Sequence, residues 1–229
     1  MPTALSRATS KKSCGRFDRL FQALRIDEIE PIAVAGINLR PVRRALGITG
    51  FGTNAFSADA GQQLIEEHDE TGGGAGRHQE LYVVISGAAR FSVDGETVEA
   101  PQGTLVFVPD IGSRRAAVAT VDGTTVLVIG GDADTITPSA FEYYFVAQAS
   151  INAGDPEAAY QTAAAGLADH PGSASLHYNL ACYAALAGDG ERAIEHVTRA
   201  FELDPVTREW AATDSDLDAI RSDPRYPAG

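Results

Sequence analysis

A tripeptide and its surroundings return at a fixed interval in the second half of the chain, and this limits the fold more than any other feature. Ala153-Gly154-Asp155 recurs as Ala187-Gly188-Asp189, 34 residues later, while Ala159 recurs as Ala193 and Pro171 as Pro205 at the same offset. A fixed period of this length marks a repeated supersecondary unit, which stacks on its neighbour because it cannot bury its apolar face alone. Between the landmarks the sequence is alanine-rich with helical spacing. Ala181, Ala193 and Ala200 let two antiparallel helices approach closely, with Leu180 and Val197 filling the gap between them. Leu217-Asp218-Ala219-Ile220 reads as a terminal capping helix, needed because an end repeat would otherwise expose apolar surface.

Upstream of about residue 137 the pattern is different. Thr135-Ile136-Thr137-Pro138-Ser139 reads as the junction, with a proline that no continuing strand would accommodate. Before it, Leu81–Gly87, Arg90–Val93, Thr97–Glu99, Thr104–Pro109, Ala116–Ala119 and Thr124–Gly130 read as strands, with Gly47–Gly52 and Gln63–Glu66 as earlier ones. Asp94-Gly95 between two of them is a strong hairpin signal. Many short strands at intervals of roughly ten residues indicate an antiparallel sandwich or barrel. No helical spacers separate them, so a parallel sheet is disfavoured. The fold class expected is α+β, with the β part first.

Both halves resemble known families. The second resembles the tetratricopeptide repeat, since Leu180-Ala181 through Ala193, Val197 and Ala200 to Pro205 follows that pattern. The first repeat departs from it in carrying Gly166 where an alanine is usual. Residues from about Gly61 to Val118 resemble the two motifs of the cupin superfamily. Glu80 is followed by six residues and Gly87, and Gly103 by five residues and Pro109. The polar, Ser- and Lys-bearing start reads as a flexible tail over 1–25, and the resemblances imply a cupin β-barrel (double-stranded β-helix) over 26–136. An all-α domain of two tetratricopeptide-like repeats plus a capping helix follows over 137–229.

The cupin resemblance implies a metal held by three histidines and a glutamate, and here the sequence departs from its family. Where two histidines precede the glutamate there is Thr71-Gly72-Gly73-Gly74-Ala75-Gly76, and where another follows the proline there is Ser113-Arg114-Arg115. The substitutes at hand are His68 and His78, which with Glu80 make the candidate metal ligands. Residues i and i+2 of a strand share a face, so His78, Glu80 and Tyr82 go together, and so do Glu66 and His68. If the pairs converge, they suit one divalent ion: iron, manganese, nickel or zinc. The alternative is that no metal binds, and that His78 and Glu80 bond one another or Arg114. A permanent guanidinium there would repel a cation and welcome a carboxylate- or phosphate-bearing ligand. Glu66, Tyr82 and Arg114 are the ligand-binding candidates.

Charge and cysteine count narrow the rest. A formal charge of −13 argues against nucleic acid as a partner. No run of eighteen apolar residues exists, so no membrane span is expected. Two cysteines, Cys14 and Cys182, make no disulfide framework and fit a reducing cytoplasm. As a whole the chain is similar to bacterial cupin-domain proteins with a short repeat tail. Two function classes follow. One is a small-ligand-binding or assembly module, homodimeric, whose repeats engage a protein partner. The other is a metal-dependent dioxygenase or isomerase acting on a small organic substrate, with Tyr82 as acid or hydrogen-bond donor.

Overall fold

The structure is a computed structural model that describes residues 22–227, apart from 35, 73–74 and 133–135. The expected tail up to residue 21, Cys14 with it, part of the glycine run and Thr135 lie outside the described residues. The chain divides into two compact units, the first ending at Thr135 and the second beginning at Ile136.

The first unit is an antiparallel sandwich. One sheet has the order β1 (Ile32–Val34), β2 (Ile37–Arg40), β3 (Gly52–Ala58), β10 (Thr124–Asp132), β5 (His78–Ser86), β8 (Leu105–Val108). The other runs β4 (Gln63–His68), β9 (Arg115–Ala119), β6 (Ala88–Val93), β7 (Glu96–Pro101). From β3 onward the pairing is nested: β3 with β10, β4 with β9, β5 with β8, and β6 with β7. This is one long hairpin folded across two sheets, the jelly-roll arrangement. Its innermost turn is Asp94-Gly95, both with positive φ (49° and 85°), as the two-residue hairpin requires. Gly87 must also be glycine. Its φ is +71°, and a Cβ there would lie 2.4 Å from the hydroxyl of fully buried Thr124.

Two layers of apolar burial hold the sandwich. Leu64, Tyr82, Val84, Phe91, Val108, Ala117 and Val126 fill the space between the sheets. Ile29, Val42 and Ala55 form a smaller cluster, in which Val42 belongs to a short helix α1 (Val42–Leu46). That helix corrects the strand expected over Gly47–Gly52. Gly47 closes α1 in the left-handed conformation (φ 67°), and the strand begins only at Gly52.

The second unit contains α2 (Ala140–Asn152), α3 (Pro156–Asp169), α4 (Ala174–Leu186), α5 (Gly190–Leu203) and α6 (Val206–Thr213). The 34-residue interval has a physical basis in the helix ends. Ser139 and Ser173 cap α2 and α4, Asp155 and Asp189 cap α3 and α5, and each side chain accepts the N–H three residues on. Gly154 and Gly188 precede the aspartates with φ of 79° and 81°. Leu180, Ala181, Ala193, Val197 and Ala200 are all fully buried. Gly166 has a reason too: a Cβ there would fall 2.8 Å from the Tyr143 ring. The capping helix expected at Leu217–Ile220 is instead a 3-10 turn over Ser215–Leu217 followed by further turns. Its Leu217 and Ile220 are still buried, and α6 is the final α-helix among the described residues.

Candidate functional site

Strand parity decides which polar side chains enter the sandwich. On β5, Tyr82 and Val84 are buried and Glu80 shares their face; on β9, Arg115, Ala117 and Ala119 are buried in alternation. His68, the last residue of β4, pairs directly with Arg115 across the ladder. Four polar groups therefore meet at one end of an otherwise apolar interior. Glu80 Oε2 lies 3.5 Å from His68 Nε2 and 3.3 Å from Arg115 Nε, and it accepts the Tyr82 hydroxyl proton. Glu70, also buried, approaches His68 Nε2 at 3.8 Å through one oxygen and accepts the His78 backbone N–H through the other, at 3.3 Å.

The guanidinium of Arg115 is the most deeply buried charge of the group. None of its side chain is exposed, against 12% for Glu80 and 35% for His68, so the cluster reaches solvent on the histidine side. Arg115 Nη1 donates to the Ser113 carbonyl at 2.8 Å. Its Nε and Nη2 make no hydrogen bond among the described residues, so Glu80 pairs with it by charge and not by an aligned hydrogen bond. Burial pushes the Glu80 carboxyl up, but hydrogen bonds from His68 and Tyr82, with the Arg115 charge, outweigh it and hold the group below its ordinary value. The Glu80 hydrogen bond in turn raises His68. Burial first, and then the adjacent Glu80 charge, drive Tyr82 far upward, so its phenol stays protonated.

The sequence candidates fall in different places. His68, Glu80 and Tyr82 come together. The His78 ring does not join them: it lies against Gly130, where a Cβ would come within 3.2 Å of it, and against Gly52. Only its backbone N–H reaches the cluster. Glu66 is exposed and takes part through its carbonyl, which meets His68 Nδ1 at 2.8 Å. The i, i+2 pairing expected of Glu66 and His68 fails because the β4–β9 register shifts between Ile65 and His68. Arg114 points outward. Its backbone is clipped to Asp94 and its side chain is exposed and paired with Glu67, while the next residue turns in. Of the arginine pair Arg114-Arg115 it is thus Arg115, not the candidate Arg114, that enters the site, and Glu70 is absent from the sequence candidates. The alternation Arg115, Ala117, Ala119 was the available signal for the first, and the i, i+2 spacing from His68 for the second.

His68, Glu70 and Glu80 each bring a ligand atom within 4.8 Å of the others, a grouping that could hold a metal ion. The chemistry around it opposes one. A divalent ion placed among these donors would share Glu80 with a fully buried permanent cation, and Glu80 Oε2 already has three neighbours. The donor set, with Arg115 in place, does not fit a divalent metal. A second grouping, Cys182 with Asp214 and Asp216, lies in the helical unit. There Asp214 accepts the Tyr178 hydroxyl at 2.7 Å, and burial pushes the Cys182 thiol strongly up, away from the thiolate that a metal needs.

A pocket of about 340 Å³ opens beside His78, lined by Arg43, Thr49, Phe51, Gly52, Gly130 and Asp132, among others. The His78 ring makes no hydrogen bond among the described residues and forms one wall of this pocket.

No family model matches the chain, and no curated protein matches it. Several solved structures similar to it are cupin proteins. A cupin protein from Bacteroides fragilis is 18% identical, covering 53% of this chain and 92% of its own, with a TM-score of 0.42. KdgF from Halomonas sp. is 21% identical over 45% of this chain and 88% of its own, at 0.38. A sugar phosphate isomerase from a cupin superfamily, from Silicibacter pomeroyi, is 19% identical over 49% and 76%, at 0.40. Likeness at this level says nothing of what this chain binds or catalyses.

Proposed function

We propose that the first unit is a cupin-type module that binds a small polar molecule at its mouth, joined to a tetratricopeptide-like unit that engages a protein partner. The observation that carries the reading is the His78 ring, its nitrogens without hydrogen-bond partners among the described residues, facing a pocket of about 340 Å³ lined also by Gly52 and Gly130. Pockets of that size accommodate small metabolites, and a few convergent polar groups suffice to orient one. For the helical unit, the support is the exposed run Phe141, Phe145 and Val146 on α2, beside a pocket that Ser175 and Asn179 of α4 also line. A homodimer through the first unit is supported by Leu105 and Phe107, exposed on the edge strand β8.

The test is a thermal-shift screen of tag-free protein against small sugars, hydroxy acids and nucleosides. The reading requires at least one compound whose saturable stabilisation is lost in His78→Ala. If no compound stabilises the wild type, or if His78→Ala responds equally, the mouth is not a binding site. The rival reading, a metal-dependent dioxygenase or isomerase, is favoured only by the convergence of His68, Glu70 and Glu80, and it requires a metal to coexist with Arg115.

A further inference from the structure

We infer that Arg115 is the resident cation of the sandwich interior, and that His68, Glu70 and Glu80 form a latent divalent-metal site which this guanidinium holds closed. The inference does not rest on the mouth pocket and stands or falls apart from it. Three observations carry it. The donor atoms of the three residues already lie within 4.8 Å of one another, so no rearrangement of strands is needed to bring them to one ion. One imidazole and two carboxylates, opening toward solvent past a partly exposed His68, suit zinc, cobalt or manganese.

The second observation is charge. Two carboxylates gathered in one place need a counter-cation, and Arg115 Nε at 3.3 Å from Glu80 supplies it. The third is that the Arg115 edge formed by Nε and Nη2 makes no well-aligned hydrogen bond among the described residues, with the Tyr82 hydroxyl its neutral polar neighbour, although the side chain is fully buried. A guanidinium is normally buried with its donors satisfied. This one is held by Ser113 at one nitrogen, by strand parity at its backbone, and otherwise by charge. It fills the role of an ion more than that of a hydrogen-bond donor. A divalent ion a few ångströms from it would be repelled with little solvent between to screen the pair.

Removing the charge should therefore open the site. Cobalt(II) is titrated into tag-free wild type, Arg115→Gln and Arg115→Lys, read by its visible absorption and by calorimetry, with circular dichroism to confirm folding. Arg115→Gln is expected to bind one cobalt at least about 100-fold more tightly than wild type, while Arg115→Lys, which keeps the cation, stays near wild type. Adding Glu70→Gln to Arg115→Gln should abolish the gain, which places the ion at this cluster. Wild-type binding as tight as that of the Gln variant overturns the inference, and so does a folded Arg115→Gln that gains nothing. If Arg115→Gln fails to fold, Arg115→Met is the substitute, and tight one-to-one binding by wild type refutes the idea without any variant.

Discussion

Glu80→Gln keeps the shape of the side chain and removes its charge, leaving the Arg115 guanidinium with no exposed surface and no close counter-ion at Nε. Breaking a buried ion pair from one side costs 3–5 kcal/mol, because the remaining charge stays desolvated. Glu80 is slightly exposed and Glu70 remains nearby, so the low end, about 3 kcal/mol, applies. Arg115→Met removes the cation and leaves an apolar chain on the buried face it shares with Ala117 and Ala119. Glu80 then keeps the Tyr82 and His68 contacts and some water, for a loss of about 1–2 kcal/mol. If the two effects were independent the double variant would lose about 4–5 kcal/mol; with no lone charge left it should lose only about 2 kcal/mol. Calorimetry of all four proteins closes the cycle. A domain of this size shifts its midpoint by about 4 °C per kcal/mol, so Glu80→Gln should lower the first unit's midpoint by roughly 12 °C. The single tryptophan, Trp210, belongs to the second unit, and its transition should stay where it was. Additivity within about 0.5 kcal/mol would refute the ion-pair reasoning.

Two further outcomes concern the helical unit. Leu180→Ala removes a fully buried side chain and should cost about 3 kcal/mol, read as an earlier urea midpoint in Trp210 fluorescence. The same unit should lose stability in acid. Burial lowers both His177 and His196, whose Nδ1 atoms lie 3.0 Å apart while Tyr160 meets His196 Nε2 at 2.9 Å. Groups with depressed folded values bind fewer protons folded than unfolded, so their contribution is present above the unfolded value of about 6.5 and is lost as the pH falls below it. Arg192, Arg199 and Glu195 are the charges acting on the pair. A Trp210 midpoint that does not fall between about pH 7 and pH 5 in wild type would contradict this assignment.

The architecture was legible because it rests on local signals. The 34-residue recurrence reflects serine and aspartate caps and left-handed glycines, each of which needs its residue type where it stands. Asp94-Gly95 marked the innermost hairpin for the same reason. The site was legible only in part, because it depends on relations between strands. Glu80 and Tyr82 follow from alternation along one strand, whereas His68 joins them from the end of another. The outward turn of Glu66 follows from a register shift against β9, which no property of β4 alone encodes. Arg114 and Arg115 are chemically identical neighbours, and one step of strand parity sends one to Glu67 at the surface and the other into the interior.

Metal analysis of tag-free wild-type protein, by mass spectrometry after dialysis in metal-supplemented buffer, bears most directly on the role given to Arg115. Wild type should carry well under one equivalent of iron, manganese, nickel or zinc, with Arg115→Gln taking up about one under the same conditions. About one equivalent in wild type, lost on Glu80→Gln, would contradict it and move a metal-dependent activity to the front.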